Sequence, residues 1–195
     1  MLYFIDAGHG PETQGKATPE HLWQAFGKGV REYEANRRVA HELEARLKHY
    51  GHTVVRTYAD SSDWKKRYRC KVANEYATKD GAMPDCALIS VHHNAFAVNP
   101  LVRGLEVHIA ERASITSVAI ANEIAKQAQE AEVWTRKYPV KRSTFTMLTD
   151  TVMPAVLVEC AYMTNVDDVA AILGTAWPIK MAKVISRALQ KVHQW

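Results

Sequence analysis

Short apolar runs of strand length alternate with segments of helical period along the chain, and no other feature restricts its fold more. Such alternation predicts an α/β layered architecture around a largely parallel sheet, because a crossover helix is the usual return path to a parallel neighbour. The first strand is expected at Leu2 to Asp6, followed by a loop rich in Gly, Pro and Thr from Gly8 to about Ala17. A helix from about Gly29 to Tyr50 follows, with Val39, Ala40, Leu43 and Leu47 on one stripe and Gly51 as its stop. Further strands are expected at Thr53 to Tyr58, Cys86 to Val91 (preceded by Pro84), Gly104 to Ala110, Thr144 to Leu148 and Ala155 to Cys160. Helices are expected from Asp63 to about Lys79, closed by Gly81, and from the Ser114 cap to about Glu132. A last helical stretch begins near Asp167 and is interrupted around Gly174 and Pro178; Glu20 to Lys28 reads as a helical turn of its own. No repeat, low-complexity tract or linker divides the chain, so residues 1–195 are expected to form one domain.

Composition narrows the function classes. The longest apolar runs, such as Ala155 to Val158, are far too short to span a bilayer, so no membrane insertion is expected. The net charge of +4, from 25 basic and 21 acidic residues, is that of an ordinary solvated surface. The basic clusters Lys65-Lys66-Arg67 and Arg136 to Arg142 carry no nucleic-acid motif, and no nucleic-acid partner is expected. Cys70, Cys86 and Cys160 are odd in number and lack C-x-x-C spacing, so they read as small buried hydrophobes in a protein made in a reducing compartment. The chain opens on a strand with no charged-then-apolar leader, so synthesis in the cytoplasm without a standard signal peptide is expected. A substrate outside the membrane would then require another route of delivery.

Four positions carry chemistry. His9, in Ile5-Asp6-Ala7-Gly8-His9-Gly10, follows a strand and is flanked by glycines that let a ligand approach closely. His92-His93-Asn94 ends another strand, and alternation lets only one of the two histidines face the cleft that His9 faces. Glu159 ends the aliphatic run Ala155 to Val158; a charge there needs a strong partner or a task. On the first long helix Glu32 and Glu34 compete. Positions four, seven, eight and eleven after Glu32 are Asn36, Val39, Ala40 and Leu43, the apolar stripe. The same count from Glu34 reaches Arg38, His41, Glu42 and Ala45, so Glu32 is expected to point inward and Glu34 outward.

Two histidines and a carboxylate form a ligand set of hydrolytic zinc sites, and a further carboxylate can move the proton of the attacking water. His9, Glu32, His92 and Glu159 supply that inventory. No HExxH helix and no G-x-S-x-G elbow is present, which excludes the common metalloprotease and serine-hydrolase arrangements.

On these residues and in this order the chain resembles the zinc-dependent N-acetylmuramoyl-L-alanine amidases (amidase type 3), which include daughter-cell-separation enzymes and many phage endolysins. The resemblance runs through five segments: IDAGHG, EYEANRRVAHELEARLKHYGHTVVRT, RCKVANEYATKDGAMPDCALISVHHNA, GLEVHI and PAVLVECAYMTN. It implies a twisted, mostly parallel (mixed) sheet of about six strands flanked by helices. It implies that His9, Glu32 and His92 bind one Zn²⁺ per chain, that Glu159 is the catalytic acid–base, and that peptidoglycan is the substrate. Asn94 and Glu106 are expected to support the site from behind, and Arg69 and Asn74 to hold their helix. The protein would act on the cell wall as a monomer, in the manner of a compact phage or prophage endolysin. Three departures stand out: the stretch from Gly10 to Arg31 lacks the usual glycine-rich form, His93 replaces a commonly small residue, and no wall-binding repeat follows. His93 is expected to face solvent or back the site, with substrate contact as the alternative. A zinc peptidase or deacetylase acting on another amide, and a catalytically silent wall-binding module, are the rival readings.

Overall fold

The computed structural model describes residues 1–79 and 85–193, so the expected roles of Gly81 and Pro84 lie outside the described residues. Among the described residues, six strands form one sheet: β1 (Leu2–Ala7), β2 (Thr53–Arg56), β3 (Cys86–Asn94), β4 (Leu105–Ala110), β5 (Thr135–Ser143) and β6 (Ala155–Tyr162), in the order β2-β1-β3-β6-β4-β5. Every neighbouring pair is parallel except β4 with β6, so the sheet is mixed and mostly parallel. β1 and β6 are buried along their whole length, as expected of strands covered on both faces.

Seven helices within the described residues accompany the strands: α1 (Glu20–Phe26), α2 (Glu32–His49), α3 (Lys66–Thr78), α4 (Ile115–Glu130), α5 (Thr146–Thr149), α6 (Val166–Leu173) and α7 (Ala176–Val192). Alternation along the strands divides the core. Tyr3, Ile5, Val91 and Val158 pack with Leu43 of α2, Ile124 of α4 and Leu189 of α7 on one face. Phe4, Leu88 and Leu157 pack with Cys70 of α3 and Met147 of α5 on the other. All three cysteines are free and buried. No single helix among the described residues is long and apolar enough to cross a membrane.

Two expectations need correction. The strand expected at Thr144 to Leu148 is displaced: β5 covers Thr135–Ser143, and Thr146–Thr149 is one helical turn. β5 is one of the sheet's two edge strands, and its sequence TRKYPVKRS shows no apolar alternation because charged residues and a proline suit a solvent-facing edge. Pro178 does not interrupt the last helix. It sits in the first turn of α7, where a missing N–H leaves no bond unmade, and the break falls at Gly174 and Thr175.

The stretch from Gly10 to Arg31 acquires structure of its own. An antiparallel bridge joins Ala17 to Arg31, and α1 packs Leu22 beside Val30, Ala35, Met163 and Ile172. This cluster anchors the start of α2 near the ends of β1, β3 and β6.

Candidate active site

β1, β3 and β6 run in the same direction, and their carboxyl ends open on a cleft of about 560 Å³. His9, Glu32, His92 and Glu159 all border it, together with Lys16, Trp64 and Phe145.

His9 lies two residues past the end of β1 and holds φ at 64°, the left-handed region that ordinary side chains avoid at a cost of roughly 1–2 kcal/mol. Buried Arg69 of α3 stabilises this turn. Its Nη1 donates to Asp6 Oδ1 (2.9 Å) and to the Ala7 carbonyl (2.6 Å), and its Nη2 donates to the His9 carbonyl (3.0 Å). Arg69 therefore does more than secure its helix: it fixes the backbone that carries His9. Asn74 has the narrower role, tying α3 to the Asp150 carbonyl and the Val152 amide. Gly8 is required by close approach, since a Cβ there would lie 1.9 Å from the His92 ring.

Glu32 is the first residue of α2 and is buried, whereas Glu34 is exposed and accepts from the Tyr33 hydroxyl. Glu32 Oε1 lies 2.9 Å from His92 Nδ1 and Oε2 lies 3.3 Å from His9 Nε2. The two imidazole rings meet edge to face with centroids 5.3 Å apart. One donor atom from each of the three residues falls within 4.8 Å of the other two. Of the His92-His93 pair, His92 is the one that joins His9 in the cleft, in keeping with the alternation of β3.

The electrostatics set these groups apart. Burial pushes the Glu32 carboxyl upward, but the His92 hydrogen bond and the neighbouring imidazoles outweigh it and hold the pKa at about 2. Burial lowers His9 to about 4, against the pull of Glu32. His92 is raised: burial opposes its charge, but the Glu32 hydrogen bond and the Glu159 charge prevail. Glu159, paired in register with His92 across β3 and β6, is raised to about 7 by burial, with Glu32 and Glu106 adding to the shift and His92 opposing it. Its Oε2 is buried without a hydrogen-bond partner among the described residues, and no lysine or arginine among them forms an ion pair with it.

The expected supporting residues separate. Glu106 pairs in register with Glu159 across β4 and β6, and binds Lys141, Arg136 Nε (3.3 Å) and His108 Nε2 (3.5 Å). Burial opposes its charge, yet the neighbouring His108 and Lys141 hold it at about 2, so it faces Glu159 as a fixed negative charge. Asn94 Nδ2 donates to Glu106 Oε2 at 3.4 Å, and neither residue bonds to His9, Glu32 or His92. His93 is not solvent-facing. It is 1% exposed and points to the α2–α7 side of the sheet, where both ring nitrogens meet protein partners, Asn36 and Trp177. Burial lowers its pKa to about 3, which keeps the ring neutral.

Two residues of this network stand outside the candidates expected from sequence: Asn36, placed there only on the apolar stripe, and Trp177. A polar residue four positions after Glu32 on that stripe is the signal that marks Asn36. Trp177 has none, because its partner lies 84 residues away.

The family model described as N-acetylmuramoyl-L-alanine amidase matches residues 4–191. The amidase LytC of Bacillus subtilis (strain 168) is 27% identical over 186 residues, which span 93% of this chain and 33% of LytC. Two solved structures share the fold. The N-acetylmuramoyl-L-alanine amidase of Clostridium difficile 630 superposes with a TM-score of 0.85 at 22% identity, covering 99% of this chain and 96% of that one. AmiC2 of Nostoc punctiforme gives 0.83 at 24% identity, covering 100% and 98%.

Proposed function

Because the chain belongs to the N-acetylmuramoyl-L-alanine amidase family, we propose that it hydrolyses the amide joining the lactyl group of N-acetylmuramic acid to L-alanine in peptidoglycan, using zinc held by His9, Glu32 and His92. The observation that carries this reading is a converging pair of imidazoles and a carboxylate at one cleft edge, beside a second carboxylate whose Oε2 has no partner among the described residues.

The donor set fits a divalent metal. Two imidazole nitrogens and one carboxylate oxygen match hydrolytic zinc sites, which leave a position open for water. Among the described residues no lysine or arginine bonds to Glu32, so its charge is available to a cation. When bound, zinc would supply Lewis acidity, making the amide carbonyl more electrophilic and water more acidic.

The protein's own groups do the remaining work. Asp6, Arg69 and the left-handed turn hold His9, while the bridge from Ala17 to Arg31 presents Glu32. Glu159 Oε2 takes the proton of the attacking water and returns it to the departing L-Ala nitrogen. A carboxyl near pKa 7 is suited to both halves of that transfer at neutral pH. Lysines at the rim, Lys16 among them, suit an anionic peptide product.

Digestion of purified peptidoglycan tests the assignment. New L-alanine amino termini without new reducing sugar ends are expected. Reducing ends without L-alanine termini would make the enzyme a glycosidase, and cleavage elsewhere in the peptide would make it a peptidase.

A further inference from the structure

His93 is adjacent to His92 in sequence but lies on the opposite side of the sheet, and its bonds lead back to the same centre. Trp177 Nε1, on α7, lies 3.1 Å from His93 Nε2. An indole N–H can only donate, so Nε2 is the acceptor and the ring proton sits on Nδ1. That proton is donated to Asn36 Oδ1 at 2.8 Å. With its oxygen committed, Asn36 turns its amide Nδ2 toward the Gly8 carbonyl (2.9 Å) and Glu32 Oε1 (3.5 Å). Donor and acceptor roles thus run in a single order from indole to carboxylate.

We propose that Trp177, His93 and Asn36 act as positioning residues, a hydrogen-bonded clamp that holds His9, Glu32 and His92 in a metal-ready arrangement. Each link touches a segment that carries a candidate ligand. Gly8 precedes His9, Asn36 lies one helical turn after Glu32, and His93 follows His92. Asn36 is 0% exposed and His93 1%, so water has little access to replace a lost bond. The clamp also accounts for a polar pair between α2, β3 and α7 where the surrounding core is aliphatic. Outer partners of metal ligands fix ligand orientation, and removing them costs about 10–100-fold in metal affinity.

The inference rests on the metal-site reading above, and titration of the metal-free protein with Zn²⁺, in competition with a chromophoric chelator, tests the two separately. Four proteins are compared: the parent, His93→Ala, His93→Asn and Trp177→Phe, each with its metal-free Tm. His93→Ala is expected to weaken Zn²⁺ binding roughly 10–100-fold. His93→Asn is expected to restore most of it, because its amide nitrogen overlies ring Nδ1 and can donate to Asn36. Trp177→Phe keeps a ring at a half-buried position but removes the donor, and is expected to weaken binding on the order of tenfold. Parent-like Zn²⁺ affinity in His93→Ala and Trp177→Phe, with only the metal-free Tm lowered, would reduce the network to packing and overturn the proposal. Equal losses in His93→Ala and His93→Asn would overturn it too. Should His93→Ala fail to fold, Trp177→Phe decides alone. A parent that hydrolyses peptidoglycan yet binds no Zn²⁺ overturns the metal-site reading and the clamp with it, which is seen before any variant is compared.

Discussion

At the residue scale, chemistry is separated by two positions on a helix. Glu32 and Glu34 are about 200° apart around α2, so one carboxylate meets both candidate histidines while the other meets solvent. Glu32→Ala is expected to abolish Zn²⁺ binding and hydrolysis, and Glu34→Ala to leave both near parental values; metal titration of the two variants checks this. Glu159→Gln should bind zinc like the parent while turnover falls roughly 10²–10⁴-fold, the contribution of a general acid–base. Loss of metal together with activity would make Glu159 a ligand instead. The metal-free protein offers an independent check. Glu159 has its folded pKa raised from about 4.5 to about 7, so its contribution to stability is full below pH 4.5 and is lost as pH rises through 7. Glu32 has the opposite sign: its contribution is full above pH 4.5 and is lost as pH falls toward 2. Metal-free Glu159→Gln should therefore be more stable than the parent at pH 8, by up to a few kcal/mol, and converge with it near pH 4. Chemical denaturation at both pH values measures the difference, and equal stabilities at pH 8 would contradict it.

At the element scale, α2 joins core and chemistry. Val39, Leu43 and Leu47 fix its rotation against the sheet, and that rotation carries Glu32 into the cleft. The apolar stripe makes this phase legible in the sequence, and it marks Glu32 there as an anomalous carboxylate on an inward face. The edge strand β5 is illegible for the converse reason. An edge strand with one face toward water needs no apolar alternation, so the pattern points instead to Thr144 to Leu148, whose Met147 and Leu148 are buried from a helical turn. Local capping is legible: Ser114 Oγ accepts the Ser117 amide at 3.1 Å, at the helix start where a cap is expected. Ser114→Ala is expected to cost about 1 kcal/mol, a fall in Tm of roughly 2–4 °C, with Zn²⁺ affinity unchanged. Thermal melting and metal titration of that variant read both values, and a change in affinity would show that α4 is coupled to the cleft.

At the scale of the whole molecule, a metal that joins residues from α2, β3 and the turn after β1 binds the folded chain and not the unfolded one. Zn²⁺ at 100 times its Kd should add about 2.7 kcal/mol, raising Tm by roughly 5–10 °C, and a chelator should reverse the rise together with activity. A Tm indifferent to both would count against a metal centre. The same scale divides what periodicity reaches from what it does not. Periodicity determined the α/β class and the inward face of α2 with Glu32 on it. Flanking glycines, a strand-end histidine pair and a charge ending an aliphatic run marked His9, His92-His93 and Glu159. Each of these signals depends on neighbours within about a dozen residues. The choice of His92 over His93 came from the family resemblance. Tertiary structure decided the fate of His93, the charge pairing of Glu106 and the entry of Trp177, whose partners lie 57, 35 and 84 residues away. Contacts at that separation follow from how the helices stack on the sheet, and burial there decided between the two places expected for His93, solvent or the back of the site, making it a neutral, doubly bonded link behind the cleft.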